Sequence, residues 1–232
     1  LFVADEIQAG MGRTGRFLSS QHWGVEPDIV CLAKALSGGF VPVGALLTRR
    51  WIFEKLFDRM DRAVVHGSTF AKNDLAMAAG LATLQVMDDE GLIERAATVG
   101  ERLIAELRGR LEGRAFFRAV RGKGMMIAIE FGAPRSLKLR GAYAMLEAAS
   151  KGLFCQLILI PLFQRHHILA QVAGHNMPVI KLLPPLIIGD AEVAQVGAAF
   201  EEQVRDAESL GGIWDLGRTL AGQAMKARAR VA

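Results

Sequence analysis

Residues 1–15 read LFVADEIQAGMGRTG, and residues 27–40 read PDIVCLAKALSGGF. Each stretch contains a short apolar run, LFVA in the first and IVCL in the second, of the kind typical of buried strands in a parallel sheet. A polar residue follows each run closely, Asp5 in one case and Lys34 in the other. We therefore expect a carboxylate and an amine at the C-terminal edge of one sheet, where open α/β folds bind their ligands.

An aspartate and a lysine at one sheet edge are the two protein groups that pyridoxal phosphate chemistry requires. Lys34 would form a Schiff base with the cofactor aldehyde, and the Asp5 carboxylate would pair with the pyridinium nitrogen. Simpler interpretations exist, because a lysine can reach solvent from a strand end and an aspartate is common in turns and helix caps. The small residues around Lys34, namely Ala33 and the loop 37–39, leave space for a cofactor.

The surrounding sequence resembles the class III (omega) aminotransferases of pyridoxal phosphate fold type I. The segments that carry the resemblance are DEIQAGMGRTG (5–15), EPDIVCLAKALSGGFVPVGA (26–45), HGSTFAKNDLAMAAG (66–80), VRGKGMMIAIE (120–130) and KLLPPLII (181–188). They occur in the family's order and together span most of residues 1–205. The resemblance implies an α/β fold: part of a large domain with a mostly parallel sheet, followed by a smaller α+β C-terminal domain.

The resemblance also implies roles for residues beyond the aspartate and the lysine. Ile7 stands where the family usually has a valine that packs on one face of the cofactor ring, and Gln8 would hydrogen-bond the ring hydroxyl. Ser68 and Thr69 would bind the cofactor phosphate, with Thr69 donating to the cofactor of the neighbouring subunit. The active site would then be completed across a homodimer. The local alternative for these two hydroxyls is a turn that precedes a helix.

Lys181 departs from the family pattern. The family often carries an arginine before the Pro-Pro pair, where its planar fork binds the substrate α-carboxylate through two hydrogen bonds. A lysine offers a point charge without the fork, so binding of glutamate or 2-oxoglutarate is in doubt. Lys181 is therefore a candidate substrate-binding residue, and the alternative is a solvated charge at a strand edge.

The chain's 232 residues divide, on this interpretation, into part of a cofactor-binding domain (1–91), a small domain (92–209) and a helical tail (210–232). Leu1 opens inside an apolar strand, so we expect a C-terminal fragment. The family's phosphate loop and the residue that stacks on the cofactor ring would lie upstream, so an inactive isolated fragment is one of the alternatives. Within the small domain we expect a strand at Leu153–Phe163 and a helix at Asp190–Ser209, with Asp190 as its N-cap.

Composition narrows the function classes. Half the residues (51%) are hydrophobic, but the longest uncharged apolar run, Leu153–Phe163, is too short to span a bilayer. Two cysteines, Cys31 and Cys155, do not make a disulfide framework, and a reducing cytoplasm fits. The net charge of +4 is scattered apart from the tail at 226–230, so we expect no membrane or nucleic-acid partner.

Three histidines lie close together in sequence, at His166, His167 and His175. Adjacent histidines on a strand point to opposite faces, and no acidic residue or cysteine has suitable ligand spacing. We therefore expect no metal site.

These observations favour an aminotransferase that moves an amino group to a keto or aldehyde acceptor through Lys34. The Lys181 departure and the resemblance point to an omega-amine, a diamine or an omega-amino acid as the donor. Alternatives are a pyridoxal phosphate-dependent aminomutase, which Gln8 in the DEIQAGMGRTG string argues against, an inactive fragment or partner domain, and a basic nucleic-acid-binding domain.

Overall fold

The computed structural model describes residues 1–174 and 177–209. These residues form two compact units, Leu1–Thr98 and a second unit that begins at Val99. The helical tail expected at 210–232 lies outside the described residues, and the domain division expected after residue 91 stays a prediction.

Groups of strands and groups of helices follow one another along the described part of the chain. The strands are β1 (Val3–Asp5), β2 (Ile29–Leu32), β3 (Ala45–Thr48), β4 (Phe117–Lys123), β5 (Met126–Phe131), β6 (Gln171–Val172) and β7 (Val179–Leu182). The α-helices are α1 (Arg50–Leu56), α2 (Asp74–Asp89), α3 (Leu92–Leu111), α4 (Leu137–Ala149), α5 (Gln156–His166) and α6 (Asp190–Ala207). Short 3-10 turns occupy Ser19–Trp23, Lys34–Ser37, Met60–Arg62 and Leu153–Cys155. The predicted α/β class is confirmed.

The first unit is built on a three-stranded sheet with the order β1-β2-β3. Strand β1 runs parallel to β2, with Asp5 opposite Cys31, whereas β3 runs antiparallel to β2, so the sheet is mixed. Ala4, Val30 and Leu32 are buried. The run at β2 thus contributes two buried side chains, whereas in the run at β1 Ala4 is buried but Leu1, Phe2 and Val3 are exposed, so β1 is not the buried strand that its composition predicted.

Helix α2 of the first unit packs against the turn Lys34–Ser37. Small residues make the approach close: Ala76 is buried, and a Cβ on Gly80 would lie 3.5 Å from the carbonyl oxygen of Leu36. The helix begins after Asn73, whose side chain accepts a hydrogen bond from the Ala76 amide at 2.9 Å, as an N-cap residue does. The turn Lys34–Ser37 therefore packs against a helix whose N-terminus is capped.

The second unit is built on a four-stranded antiparallel sheet with the order β4-β5-β7-β6. Val120, Ile129 and Ile180 lie opposite one another on its buried face. Along α3, four apolar residues recur at every fourth position and are at most 1% exposed, which places them on one face of the helix: Val99, Leu103, Leu107 and Leu111. Burial of each such side chain contributes about 1.5–3 kcal/mol.

The strand predicted at Leu153–Phe163 is wrong. This segment forms a 3-10 turn followed by most of α5, with Leu157, Ile158 and Leu162 buried. A continuous apolar run carries no periodicity that separates a buried strand from a buried helix, and Pro161 inside the segment disfavours a helix by propensity alone. Packing of α5 against α6 decides the outcome.

The helix predicted at Asp190–Ser209 is confirmed as α6, but its N-cap is Gly189 and not Asp190. Asp190 is the first helical residue. The Glu192 carboxylate accepts a hydrogen bond from the Gly189 amide at 2.8 Å, which satisfies a donor at the helix start. Both acidic side chains lie in the first turn, where the helix dipole favours negative charge.

Within residues 1–174 and 177–209, no single helix is long and apolar enough to cross a membrane. The segments Leu137–Ala148 and Leu153–His166 reach that length and composition only when they are taken together across a bend of 110°.

Candidate active site

The ends of β1 and β2 place an acid and an amine at the same edge of the sheet. The two strands are parallel and in register, so their C-terminal ends coincide. Asp5 is the last residue of β1, and Lys34 comes two residues after the end of β2. Both residues are exposed, so a ligand at this edge can reach the carboxylate and the amine.

Lys34 has an unusual backbone conformation. It is the first residue of the turn Lys34–Ser37, and its φ of 51° lies in the left-handed region that residues other than glycine rarely adopt. Such a conformation costs on the order of 1–3 kcal/mol and persists only where the surroundings enforce it. The surroundings here include Ser37, whose buried hydroxyl donates to the Val41 carbonyl and closes the loop.

The Asp5 carboxylate is held by the backbone that follows it. Its Oδ1 accepts a hydrogen bond from the Ile7 amide at 3.1 Å, which is an Asx-type turn. Ile7 is half-buried and Gln8 is exposed in the same turn. The structure thus brings Asp5, Ile7 and Gln8 together after β1, whereas the roles expected for Ile7 and Gln8 stay predictions.

Glu6 lies between these residues but faces the interior and is only 2% exposed. Its carboxylate accepts hydrogen bonds from the amides of Ser19 and Ser20, at 3.0 and 2.9 Å, and from the Ser19 hydroxyl at 2.7–2.8 Å. Glu6 thus points away from the exposed Asp5, as successive side chains of an extended chain do. This alternation does not predict that Ser19 and Ser20 bind the Glu6 carboxylate. The sequence hints at this contact only through the Ser-Ser pair at the start of a turn.

Ser68 and Thr69 lie in an exposed segment between α1 and α2. The Ser68 hydroxyl accepts a hydrogen bond from the Phe70 amide at 3.3 Å, as in the local turn considered from the sequence. Within the described residues, no hydrogen bond or ion pair joins this segment to Asp5 or Lys34. Phosphate binding by these hydroxyls therefore stays a prediction.

Lys181 belongs to the second unit. It lies in β7, opposite Ala128 of β5 and Gln171 of β6, and its side chain is partly exposed. The ion pairs found among the described residues do not include it. A partly exposed ammonium group without a carboxylate partner is available to an anionic ligand, which is compatible with the expected substrate-binding role.

His166 and His167 do not lie on a strand, which corrects the geometry expected from the sequence. His166 ends α5, and its Nε2 lies 2.9 Å from the Gln203 amide nitrogen and 3.7 Å from a Glu202 carboxylate oxygen. His167 follows in a left-handed conformation. Among the residues that the structure describes, no group of three or more histidine, cysteine or acidic side chains is arranged to hold a metal ion. His175 lies outside those residues.

The groups at the first sheet fit pyridoxal phosphate. An exposed amine can reach the cofactor aldehyde, and an exposed carboxylate at the neighbouring strand end can pair with the ring nitrogen. The Asx turn fixes the side chain of Asp5, and the closed loop fixes the backbone of Lys34. The donor set of this edge is therefore compatible with pyridoxal phosphate, and the roles of Asp5 and Lys34 stay predictions.

Comparisons with known proteins agree on one family. The model for class-III aminotransferases matches residues 1–204. The diaminobutyrate–2-oxoglutarate aminotransferase of Rhizobium meliloti is 36% identical over 209 residues, which cover 88% of this chain and 42% of the relative. The putrescine aminotransferase of Pectobacterium atrosepticum is 36% identical over 197 residues, covering 84% of this chain and 37% of the relative.

Among solved structures, the ornithine aminotransferase of Toxoplasma gondii contains pyridoxal phosphate at partial occupancy in its active site. It matches with a TM-score of 0.73 at 30% identity, over 89% of this chain and 43% of its own. The chain thus spans less than half the length of the curated relatives and of this structure.

Proposed function

The chain belongs to the class-III aminotransferases, a family that uses pyridoxal phosphate, and on that premise we propose that the protein transfers an amino group from an amine to a carbonyl acceptor. The observation that carries the proposal is that Asp5 and Lys34 lie at the same edge of a pair of neighbouring parallel strands, Asp5 at the end of β1 and Lys34 two residues after the end of β2. When bound, pyridoxal phosphate supplies the electron sink that accepts charge from the substrate Cα.

The residues of this chain would bind the cofactor, orient it and move one proton. Lys34 Nζ would hold the cofactor covalently until the substrate amine displaces it, and the freed amine would then take the proton from the substrate Cα and deliver it to C4′ of the cofactor. The Asp5 carboxylate, fixed by the Ile7 amide, keeps the ring nitrogen protonated through a charge-assisted hydrogen bond. Gln8 binds the ring hydroxyl, and Ile7 packs on the ring face.

The phosphate and the substrate would be bound by residues away from this sheet edge. The exposed hydroxyls of Ser68 and Thr69 bind the cofactor phosphate of the neighbouring subunit, so that the working enzyme is a homodimer. Lys181 binds the charged end of a substrate. The two relatives described above act on diamino compounds, which supports an omega-amine, a diamine or an omega-amino acid as donor. We place the enzyme in the cytoplasm, because nothing in its chemistry requires an oxidising compartment.

The first test is cofactor attachment in the full-length protein. We expect a visible absorption band on addition of pyridoxal phosphate, and its absence in a Lys34→Ala variant. Lys72→Ala is the matched control, because Lys72 is also exposed and also left-handed, with a φ of 58°. Loss of the band in both variants, or its retention in Lys34→Ala, would contradict the assignment of Lys34.

The second test is a screen of amino donors with the same protein. Putrescine, ornithine and diaminobutyrate are offered beside α-amino acids, and the free keto or aldehyde product is measured. Turnover with α-amino acids alone would overturn the proposed donor class. An isomerised amine without release of a carbonyl product would identify an aminomutase instead.

A further inference from the structure

Glu6 is a buried carboxylate next to the proposed cofactor-binding residue Asp5, and it does not face the cofactor edge. A buried charge is costly unless its oxygens are satisfied. Glu6 makes no ion pair within the described part of the chain, and its oxygens are satisfied by the two amides and the hydroxyl of Ser19 and Ser20. Charge-assisted hydrogen bonds of this kind are about twice as strong as neutral ones.

The backbone of Glu6 is fixed as firmly as its side chain. Its amide donates to the Cys31 carbonyl of β2 at 3.1 Å, and its carbonyl accepts from the Gly10 amide at 2.9 Å. A Cβ on Gly10 would lie 2.8 Å from that carbonyl oxygen, so the turn closes tightly on Glu6. Glu6 is therefore joined to the neighbouring strand, to the turn after it and to the turn at 19–20.

These contacts control the residues on both sides of Glu6. The amide that holds the Asp5 carboxylate belongs to Ile7, the residue directly after Glu6. Gln8 follows in the same turn, which ends at the Gly10 contact. A change in the position of Glu6 consequently moves the donor that orients Asp5 and the backbone that presents Gln8.

We propose that Glu6 is a positioning residue, which fixes Asp5 and Gln8 at the cofactor edge by anchoring the turn after β1 to Ser19 and Ser20. The inference rests on the proposed function, because the benefit of a fixed Asp5 is realised at the cofactor ring. Glu6 would thus act on cofactor binding without touching the cofactor itself.

Glu6→Gln tests the role with little change in shape. The glutamine amide group would present donors to the Ser19 or Ser20 amide, so one buried N–H loses its acceptor and the turn shifts. We expect the dissociation constant for pyridoxal phosphate to rise about tenfold, which corresponds to ~1.4 kcal/mol. The absorption band of the bound cofactor should also change its pH profile, because Asp5 no longer holds the ring nitrogen in one geometry.

Glu147→Gln is the matched control. Glu147 is also a buried carboxylate (8% exposed), and it accepts from the amides of Gly152 and Phe154 at 3.0 and 3.2 Å in the second unit. We expect this variant to lose thermal stability as Glu6→Gln does, while its cofactor dissociation constant and its band stay those of the wild type. An equal loss of cofactor affinity in both variants would mean that general destabilisation is responsible and would overturn the positioning role.

The outcomes separate the inference from the function on which it rests. A wild-type protein without a cofactor band refutes the proposed function, whereas a normal band in wild type and in Glu6→Gln alike refutes only the role of Glu6. If Glu6→Gln does not fold, Ser19→Ala removes the hydroxyl donor and keeps both amides. That variant should bind the cofactor about two- to threefold more weakly, because Glu6 loses one of its donors and keeps the two amides, and unchanged binding would overturn the inference.

Discussion

Gly100 of α3 lies against the turn of the β4–β5 hairpin so closely that no side chain fits. A Cβ built on Gly100 would lie 2.7 Å from the Cα of Gly124 and would overlap its carbonyl group. All three nearest atoms belong to backbone, which cannot turn aside as a side chain can. To reach ordinary contact, the helix and the hairpin would have to separate by more than about 1 Å in a region packed at crystal density.

Overpacking of this kind costs ~1–3 kcal/mol, and the rigid neighbour places Gly100→Ala at the upper end. The higher helix propensity of alanine returns about 1 kcal/mol, which leaves a net loss of ~2 kcal/mol. Gly109→Ala in the same helix is the matched control, because a Cβ there meets nothing within 4 Å. It should keep the full propensity gain of about 1 kcal/mol.

The assay is thermal and urea unfolding of both variants beside the wild type. At about 2–4 °C per kcal/mol, Gly100→Ala should lower the Tm by ~4–8 °C and Gly109→Ala should raise it by ~2–4 °C. A Gly100→Ala protein as stable as the wild type would show that the β4–β5 turn can move away from α3 without lowering the free energy of unfolding. Equal destabilisation by both substitutions would show that the helix, and not the contact, determines the effect.

Two further predictions concern ionisation and specificity. Burial, and secondly the charge of Glu147, raises the pKa of the Cys155 thiol from 9.0 to about 12, so above pH 9 the unfolded chain loses a proton that the folded chain keeps. The free energy of unfolding should therefore fall as pH rises from 9 towards 12, and the Cys155→Ala variant should show a shallower fall in its urea midpoint. Part of the fall should remain in the variant, because the pKa of Tyr143 is also raised to about 12, mainly by burial. A fall as steep in the variant as in the wild type contradicts the prediction. On the proposed function, Lys181→Arg should lower the KM for 2-oxoglutarate about tenfold, because arginine offers the bidentate fork that lysine lacks. The control is Lys123→Arg on the same sheet, which should leave this KM unchanged. If Lys181→Arg also leaves the KM unchanged, Lys181 does not bind the substrate.

The first sheet and its edge residues were predictable because one short-range rule covers them. The apolar run Ile29–Leu32 between polar and turn residues predicted β2 with its observed bounds. A similar run, residues 1–4, predicted that β1 ends at Asp5. Parallel pairing then placed Asp5 and Lys34 together.

Longer-range packing explains what the sequence did not reveal. The apolar run at Leu153–Phe163 contains a single polar residue, Gln156, which is too few to report its period, so its helical form depends on α6, which lies about thirty residues further along. The Glu6 contacts depend on how the glycine-rich segment after β1 returns to place the Ser19 and Ser20 amides beside it. Neither feature has a local pattern from which it follows.

The left-handed backbone at Lys34 has a consequence for how this position evolves. A glycine there would adopt the observed φ without the steric cost that any Cβ carries. The folded protein is therefore less stable with lysine at this position than it would be with glycine. Drift toward stability alone would remove the lysine. On the proposed function, the side chain is kept at this dihedral angle because of what the amine does, and a descendant that lost the reaction would be free to lose the strain as well.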